Sequence, residues 1–511
     1  MPVEDAAMLL RYAENLADGK GIVWNVGEPP VDGATDFLYM AVVAGVARLG
    51  VRTEIAALAL SAAAHVATVL LCYFAVRRIH RSSPWLAAGL AAYVALGPGS
   101  VYVGAYFGTT CFALAAAVTW CFALGIITRP AEPPGVATAL GFSSSALVMS
   151  LIRPEGCLLT AYMLAPVLLS LDRAQRRRVL SVFVASFVVP GALYFAWRWT
   201  YFGHPLPNPF YKKGSQHIYP SSLAESAHHV FVFGLVAWPL YLAALWQWVE
   251  VRYAWLTLLP VACFTASWVL LSNEMNFAGR FQYAVLPIVV LSVPRIASGL
   301  ATAWRVPTFD EMDRTRRWVV ALGFATFTIV GGRSLRAIYG GEIPNACKSL
   351  GGLGVALRPY RARQYRMAVT EAGLLPFYSG WATTDAWGLN DSYVAHHGLT
   401  AEHLDEHPPD LVMVHSNSSP MKPEEGAETI RGWKNMVEVL KTYVARHDYE
   451  LVAVFGHGPT EGHWYYIRRD LPDARAIRDL IRNTPYDWNG PCVDLAAIQR
   501  TTEATTQTTG R

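Results

Sequence analysis

The sequence predicts a polytopic α-helical membrane protein of about ten spans, with a C-terminal extracytoplasmic α/β domain. Three observations carry this. First, apolar runs of roughly 15–23 residues repeat from about residue 54 to 332, separated by short polar loops. At about 1.5 Å per residue they match a hydrocarbon core of about 30 Å. Second, after Gly332 the texture changes: Asp, Glu, His and Pro become frequent and no run is long enough to span. Third, the basic loops alternate along the chain as cytoplasmic loops do.

Apolar residues make up 53% of the 511 and charged residues 16%, which excludes an ordinary soluble enzyme. The net charge of +4 sits in a few short loops, a pattern of membrane orientation rather than of nucleic-acid binding. The expected spans are 54–76, 84–100, 109–127, 136–152, 157–171, 179–200, 229–249, 254–272, 281–298 and 317–332. They place Arg77–Arg81, Asp172–Arg178 and Arg314–Arg317 together on the inside. The chain then divides into an external segment 1–53, a transmembrane domain 54–332 and an external α/β domain 333–511. Two helices of the first segment are expected to lie at the interface. One is Thr35–Leu49. The other is Asp5–Asp18, whose wheel puts Leu9, Tyr12, Ala13 and Leu16 on one face and Arg11, Glu14, Asn15 and Asp18 on the other, with Gly19 as a stop.

The external loops hold the unusual residues. The first carries Glu4, Asp5, Arg11, Asn25, Glu28, Asp32 and Asp36. Asp5 stands where a helix begins, so it reads either as an N-cap or, with Glu4, as a catalytic carboxylate. WRWTYFGHPLPNPFYKKG interleaves aromatics with Arg198, His204, Lys212 and Lys213, and is stiffened by Pro205, Pro207 and Pro209 around Asn208. It reads as an interfacial anchor or as a site for a lipid phosphate. LIRPEG (Arg153, Glu155) and SNEMNFAGRFQY (Glu274, Arg280) put ionisable groups at membrane edges, either as ion pairs closing turns or as functional groups.

In the C-terminal domain, Pro409–His415 and Tyr449–Phe455 read as buried strands. His396, His397, His403 and His407 match no metal-binding framework and read as surface histidines. Five of the seven cysteines lie in apolar runs; Cys347 and Cys492 are either a pair or two free thiols. No Walker loop, GxGxxG or GxSxG motif is present, so neither nucleotide-driven nor serine-hydrolase chemistry has support.

Five stretches in order resemble one family. EDAAMLLRYAENLADGKGIVWNVGEPPVDGATDFLY is similar to the first external loop of GT-C-fold, polyprenyl-phosphate-sugar-dependent glycosyltransferases, in particular the actinobacterial terminal β-(1→2)-arabinofuranosyltransferases. RPEG (Arg153–Gly156), YFGHPLPNPFYKK (Tyr201–Lys213), NEMNFAGRF (Asn273–Phe281) and GLND (Gly388–Asp391) are similar to later landmarks. The family's Val-Glu-Gly-Tyr-Thr stands here as Val31-Asp32-Gly33-Ala34-Thr35, a departure that bears on sugar and acceptor. The family also has a helix before the acidic loop, so the chain is expected to start inside that loop, with the first family helix missing.

The resemblance implies a multi-pass plasma-membrane (inner-membrane) enzyme moving a sugar from a polyprenyl-phosphate donor to a cell-envelope glycan. It implies Asp5 or Glu4 as general base or nucleophile. Arg198, Lys212, Lys213 and Arg280 are expected to hold the donor phosphate. Arg11, Asn25, Asp32, Arg153, Glu155, His204, Asn208 and Glu274 are expected to line the site. No cofactor is required; a divalent ion between Glu4, Asp5 and the phosphate is compatible with the spacing but not demanded by it. The rival readings are a lipid-linked-sugar flippase, which would need more mid-span polar groups than scattered ones such as His65, and a non-catalytic assembly partner.

Overall fold

The computed structural model describes residues 1–129, 131–213, 218–307, 312–340, 348–415, 427–458, 461–487 and 493–494. Cys347 and Cys492 lie outside the described residues.

Two helices come first, α1 (Glu4–Ala17) and α2 (Phe37–Ala47). The helical bundle follows: α3 (Thr53–Ile79), α4 (Pro84–Leu96), α5 (Gly99–Ala105), α6 (Thr109–Ile127), α7 (Val136–Ile152), α8 (Glu155–Ser170), α9 (Arg173–Phe183), a π-helical turn Val184–Val188, and α10 (Val189–Phe202). After α11 (Asn208–Lys213) come α12 (Pro220–Phe233), α13 (Trp238–Trp246), α14 (Val251–Ser267), α15 (Val285–Ala303) and α16 (Arg314–Gly340). Each of the ten expected apolar segments falls on one or two of these helices.

Among the described residues, six helical units, or seven if α12 and α13 are one span bent by 89°, are long and apolar enough to cross a membrane. Helices α7 and α8 are shorter apolar helices. The expected span 229–249 is therefore not straight. Gly234 ends α12, and the chain restarts as α13 with a proline in its first turn, where a missing N–H costs nothing. Leu193, Leu242, Trp246 and Leu322 point outward, as lipid-facing side chains do. The protein is a multi-pass helical membrane protein.

The C-terminal region contains α17 (Lys348–Leu357), β1 (Arg366–Val369), α18 (Leu374–Ser379), β2 (Ala382–Asp385), α19 (Ser392–His397), α20 (Ala401–Glu406), β3 (Leu411–His415), α21 (Ala427–Arg446), β4 (Tyr449–Gly458), β5 (Glu461–Arg468), α22 (Ala474–Asn483) and β6 (Val493–Asp494). Among the described residues six strands form one sheet, in the order β2-β1-β3-β5-β4-β6. Strand β1 is parallel to β2 and β3, while β5 is antiparallel to β3 and β4. The expected strands at Pro409–His415 and Tyr449–Phe455 are β3 and β4, and β3 is buried along its whole length and apolar up to His415, as an inner strand is.

Helix α1 does not turn the whole of its polar face to water. Arg11 and Asn15, assigned to a water-facing side, are buried. Arg11 meets backbone carbonyls of the sheet domain and Asn15 those of Val23 and Trp24, while Asp18 stays exposed. Gly19 does stop the helix, in the left-handed conformation at φ 75°.

Candidate functional site

The first segment is stapled to the sheet domain. Arg11 Nε donates to the Trp24 carbonyl (2.9 Å), Nη1 to Pro376 O (3.0 Å), and Nη2 to both Asn25 Oδ1 (3.0 Å) and Trp381 O (2.8 Å). Asn25 in turn satisfies the Thr383 backbone on the outer edge of β2: Thr383 N donates to Asn25 Oδ1 (2.9 Å) and Asn25 Nδ2 to Thr383 O (3.0 Å). An otherwise open sheet edge is thereby closed. Glu28 pairs with Arg366 across the same junction.

Glu4 belongs to this clasp. Its two carboxylate oxygens accept from the amides of Gly373 (2.6 Å) and Leu374 (3.0 Å) at the start of α18. Burial, with Glu371 close by, pushes Glu4 up to about 8. Both its oxygens are occupied, which leaves it poorly placed to act as a base.

Asp5 was expected either to cap α1 or to carry chemistry. The helix starts at Glu4 with Val3 as its N-cap residue, so Asp5 is not the cap. Its Oδ2 instead accepts from Arg280 Nη2 at 3.0 Å. Arg280 is buried, and its guanidinium lies 3.8 Å from the Phe107 ring centroid and 5.2 Å from that of Phe281. Its Nε and Nη1 are buried with no hydrogen-bond partner among the described residues. Two orphaned donors on a buried cation are costly unless a ligand completes them.

The loop delivering Arg280 is held in an uncommon backbone conformation. Met275 and Ala278 have φ of 61° and 57°, and Gly279 follows at 62°. An amide network fixes it: Asn276 Nδ2 donates to Gln282 Oε1 (2.8 Å), Phe281 N to Asn276 Oδ1 (3.1 Å), and Asn273 Nδ2 to Ser222 O (2.9 Å). Left-handed non-glycine residues persist only where their surroundings over-determine them.

Around this pair stand further expected residues. Arg153 bonds Glu155 (3.0 Å), lies 3.6 Å from Asp36, and covers the other cation-binding partner ring, Phe281, at 4.7 Å. Glu274 is buried with its Oε1 4.0 Å from Lys213 Nζ; burial raises it above the usual carboxylate range, and the lysines oppose that. Lys212 Nζ sits 4.0 Å over the Trp387 ring, and burial lowers it from the usual lysine value.

Other expected residues turn out to be committed elsewhere. Arg198 makes a bidentate pair with Asp32 (2.7 and 2.8 Å), so its charge is already neutralised. Asn208 N donates to Asp32 O at 2.9 Å, which fixes the Pro-rich loop. His204 stacks on His396 with centroids 4.4 Å apart. Of the four histidines expected on the surface, His403, on α20, is buried: it bonds Asp391, the N-cap residue of α19, at 3.0 Å and stacks on Tyr393 with centroids 4.3 Å apart.

Asp385, Glu371, His415 and His463 are not singled out by the sequence. Asp385 accepts from the amides of Trp387 (3.0 Å), Gly388 (3.1 Å) and Asn390 (2.9 Å), and so shapes the loop that brings Trp387 to Lys212. His415 and His463 face each other across β3 and β5 beside Glu371. A histidine closing the apolar run of β3 was the available signal; His463 is the third residue of β5, and the pairing of the two is not local. A cavity of about 1170 Å³ lies beside the clasp, lined by Arg11, Glu14, Arg52, Glu54, Arg361 and Arg366 among others; Asp5, Arg280, Lys212 and Lys213 are not part of it.

Residues 350–468 match a family model described as "Domain of unknown function (DUF8728)". No curated protein sequence matches the chain. Among solved structures, the fold is similar to ArnT from Cupriavidus metallidurans in the apo state, at TM-score 0.54 and 14% identity over 92% of this chain and 93% of that one. It is similar to the same ArnT bound to undecaprenyl phosphate, at TM-score 0.50 and 13% identity over 91% and 94%. It is also similar to the oligosaccharyltransferase AglB from Archaeoglobus fulgidus in complex with an inhibitory peptide and a dolichol-phosphate, at TM-score 0.51 and 11% identity over 92% and 71%. The chain thus has the GT-C-like architecture expected from its sequence, a helical membrane bundle followed by a small sheet domain.

Proposed function

We propose that the chain is a glycosyltransferase that moves a sugar from a polyprenyl-phosphate donor to a hydroxyl of a cell-envelope glycan, on the external face of the membrane. One observation carries this: a buried Arg280 whose Nη2 holds Asp5 at 3.0 Å while Nε and Nη1 have no partner among the described residues. A phosphate monoester anion supplies acceptor oxygens for such donors and a charge for such a cation. That ArnT binds undecaprenyl phosphate and AglB a dolichol-phosphate within the same architecture supports a lipid-phosphate donor here.

In this reading Asp5 is the reacting carboxylate and Glu4 is not. An acceptor hydroxyl attacks the anomeric carbon and Asp5 takes its proton, while the bond from that carbon to the phosphate oxygen breaks. If configuration is retained, Asp5 attacks first. Arg280, with Lys212 and Lys213, holds the charge that grows on the leaving phosphate. The resemblance of the first loop supports arabinofuranose as the sugar. The same reading puts residues 1–53 and the sheet domain outside, and the basic loops inside.

The test is transfer of label from a radiolabelled polyprenyl-phosphoryl arabinofuranose to glycan by the purified chain in lipid. Asp5→Asn should abolish transfer while retaining binding of polyprenyl phosphate. Wild-type activity with hexosyl donors alone would correct the sugar. Transfer that survives Asp5→Asn, or movement of the lipid-linked sugar across the bilayer without transfer, would overturn the reading.

A further inference from the structure

We propose that Glu371, His415 and His463 form a binding site for a divalent transition-metal ion, of zinc type, at the end of the sheet where β1, β3 and β5 meet. Glu371 follows β1 by two residues, His415 ends β3, and His463 is its register partner on β5. Three segments far apart in sequence thus deliver one carboxylate and two imidazoles to one point.

The spacing fits coordination. One ligand atom from each of the three residues lies within 4.8 Å of the others. Glu371 Oε1 is 2.6 Å from His415 Nδ1, and Oε2 is 3.5 Å from His463 Nε2. Donors around a tetrahedral zinc with bonds of about 2.0–2.1 Å stand roughly 3.3 Å apart, so admitting the ion needs only small side-chain rotations. Two imidazoles and one carboxylate select zinc or a neighbouring transition dication over magnesium or calcium, which take oxygen ligands.

The surroundings are those of a built site. The side chains of His415 and His463 are 1% and 0% exposed, and that of Glu371 15%. His463 turns its other ring nitrogen, Nδ1, to Tyr486 Oη at 2.7 Å, and Tyr486 Oη in turn contacts Tyr465 Oη at 2.7 Å. An outer-shell hydrogen bond of this kind fixes the tautomer and aim of a ligating imidazole. The backbone N–H of His415 is held by Thr370 Oγ1 at 2.8 Å, which ties the ends of β1 and β3 together.

The position suggests the ion's work. Gly373, two residues beyond Glu371, donates its amide to Glu4. An ion on Glu371 would brace the turn that receives α1, and with it the neighbouring Asp5. The role is positional, and it does not depend on which reaction the protein catalyses.

The experiment uses the full chain purified in detergent from zinc-supplied cells. Elemental analysis should give one zinc per chain. Chelator-stripped protein should take up cobalt(II) to one equivalent, with the visible absorption of a tetrahedral cobalt centre that zinc then displaces. Glu371→Gln and His415→Gln should each weaken cobalt binding by on the order of 100-fold. Because a variant at a buried position risks unfolding, the wild type is measured first and the variants are read only where they fold. Folded wild-type protein with no metal and no saturable cobalt uptake would leave only a hydrogen-bonded Glu–His–His–Tyr network and overturn the proposal. Uptake unchanged in both variants would place the metal elsewhere and overturn it equally.

Discussion

Two buried arginines, 7% exposed each, mark two regions that differ in what surrounds them. Arg11, in the clasp between the first segment and the sheet domain, makes four hydrogen bonds to four acceptors and lies 4.3 Å from the Trp24 ring centroid. Arg280, in the loop between α14 and α15, makes one bond, to Asp5, and leaves two donors without a described partner. Burying a guanidinium is repaid only where its donors are satisfied. The clasp satisfies its arginine from within the chain, as a structural element does. The Arg280 region does not, as expected of a place where a ligand's oxygens complete the shell. The adjacent carboxylates divide in the same way: Glu4 is taken by two amides, while among the described residues Asp5 has only Arg280.

The sharpest way to break this contrast is to remove each arginine. Arg11→Ala should destabilise the fold by roughly 3–5 kcal/mol, since four acceptors lose their partner at once. Thermal unfolding and limited proteolysis should show the sheet domain released from α1, and Arg11→Lys should not rescue it, because an ammonium lacks the planar fork. Arg280→Gln should instead leave the melting temperature close to wild type while transfer falls by about 10²–10³-fold. Equal losses of stability in the two variants would erase the distinction.

Glu4→Gln sharpens the comparison between neighbouring carboxylates. It should weaken docking by about 1–3 kcal/mol, the cost of leaving one of two buried amide N–H groups without its acceptor. Its transfer rate per folded molecule should stay within a few-fold of wild type. A loss of 10²-fold at unchanged stability would return the catalytic assignment to Glu4. The smallest effect is expected at Gly33, where an added Cβ would lie 2.7 Å from Tyr12 Oη and 2.8 Å from the Leu389 carbonyl. Gly33→Ala should cost about 1–3 kcal/mol by forcing the GLND loop off α1, measurable as a lowered unfolding midpoint.

The convergence at Gly33 also shows how far the sequence could be read. Tyr12, Gly33 and Leu389–Asn390 belong to three stretches singled out separately, and each was legible as a landmark. That they touch was not, because 21 and more than 350 residues separate them and no local rule carries such a contact. Arg198 shows the opposite failure. A cationic residue beside aromatics at a membrane edge reads as a phosphate ligand, yet Asp32, 166 positions away, pairs with it. Arg11 and Asn15 were placed on a polar face correctly by helical period, but the period is silent on whether water or a second domain covers that face.

The sequence by itself determined the architecture. Apolar run length, set by the rise of a helix against the thickness of a bilayer, located the bundle, and period and turn chemistry located α1, β3 and β4. The loops rich in charge were also visible, since ionisable groups at a membrane edge stand out from their apolar flanks. Only the tertiary structure decided which of those charges answer one another. It coupled Asp32 to Arg198, Glu4 to the start of α18 and Asp5 to Arg280, and it brought Glu371, His415 and His463 to one point. The physical reason is one of range. Secondary structure follows from interactions over a few residues, whereas a buried charge takes its partner from whatever the folded chain places within about 3 Å, however distant in sequence.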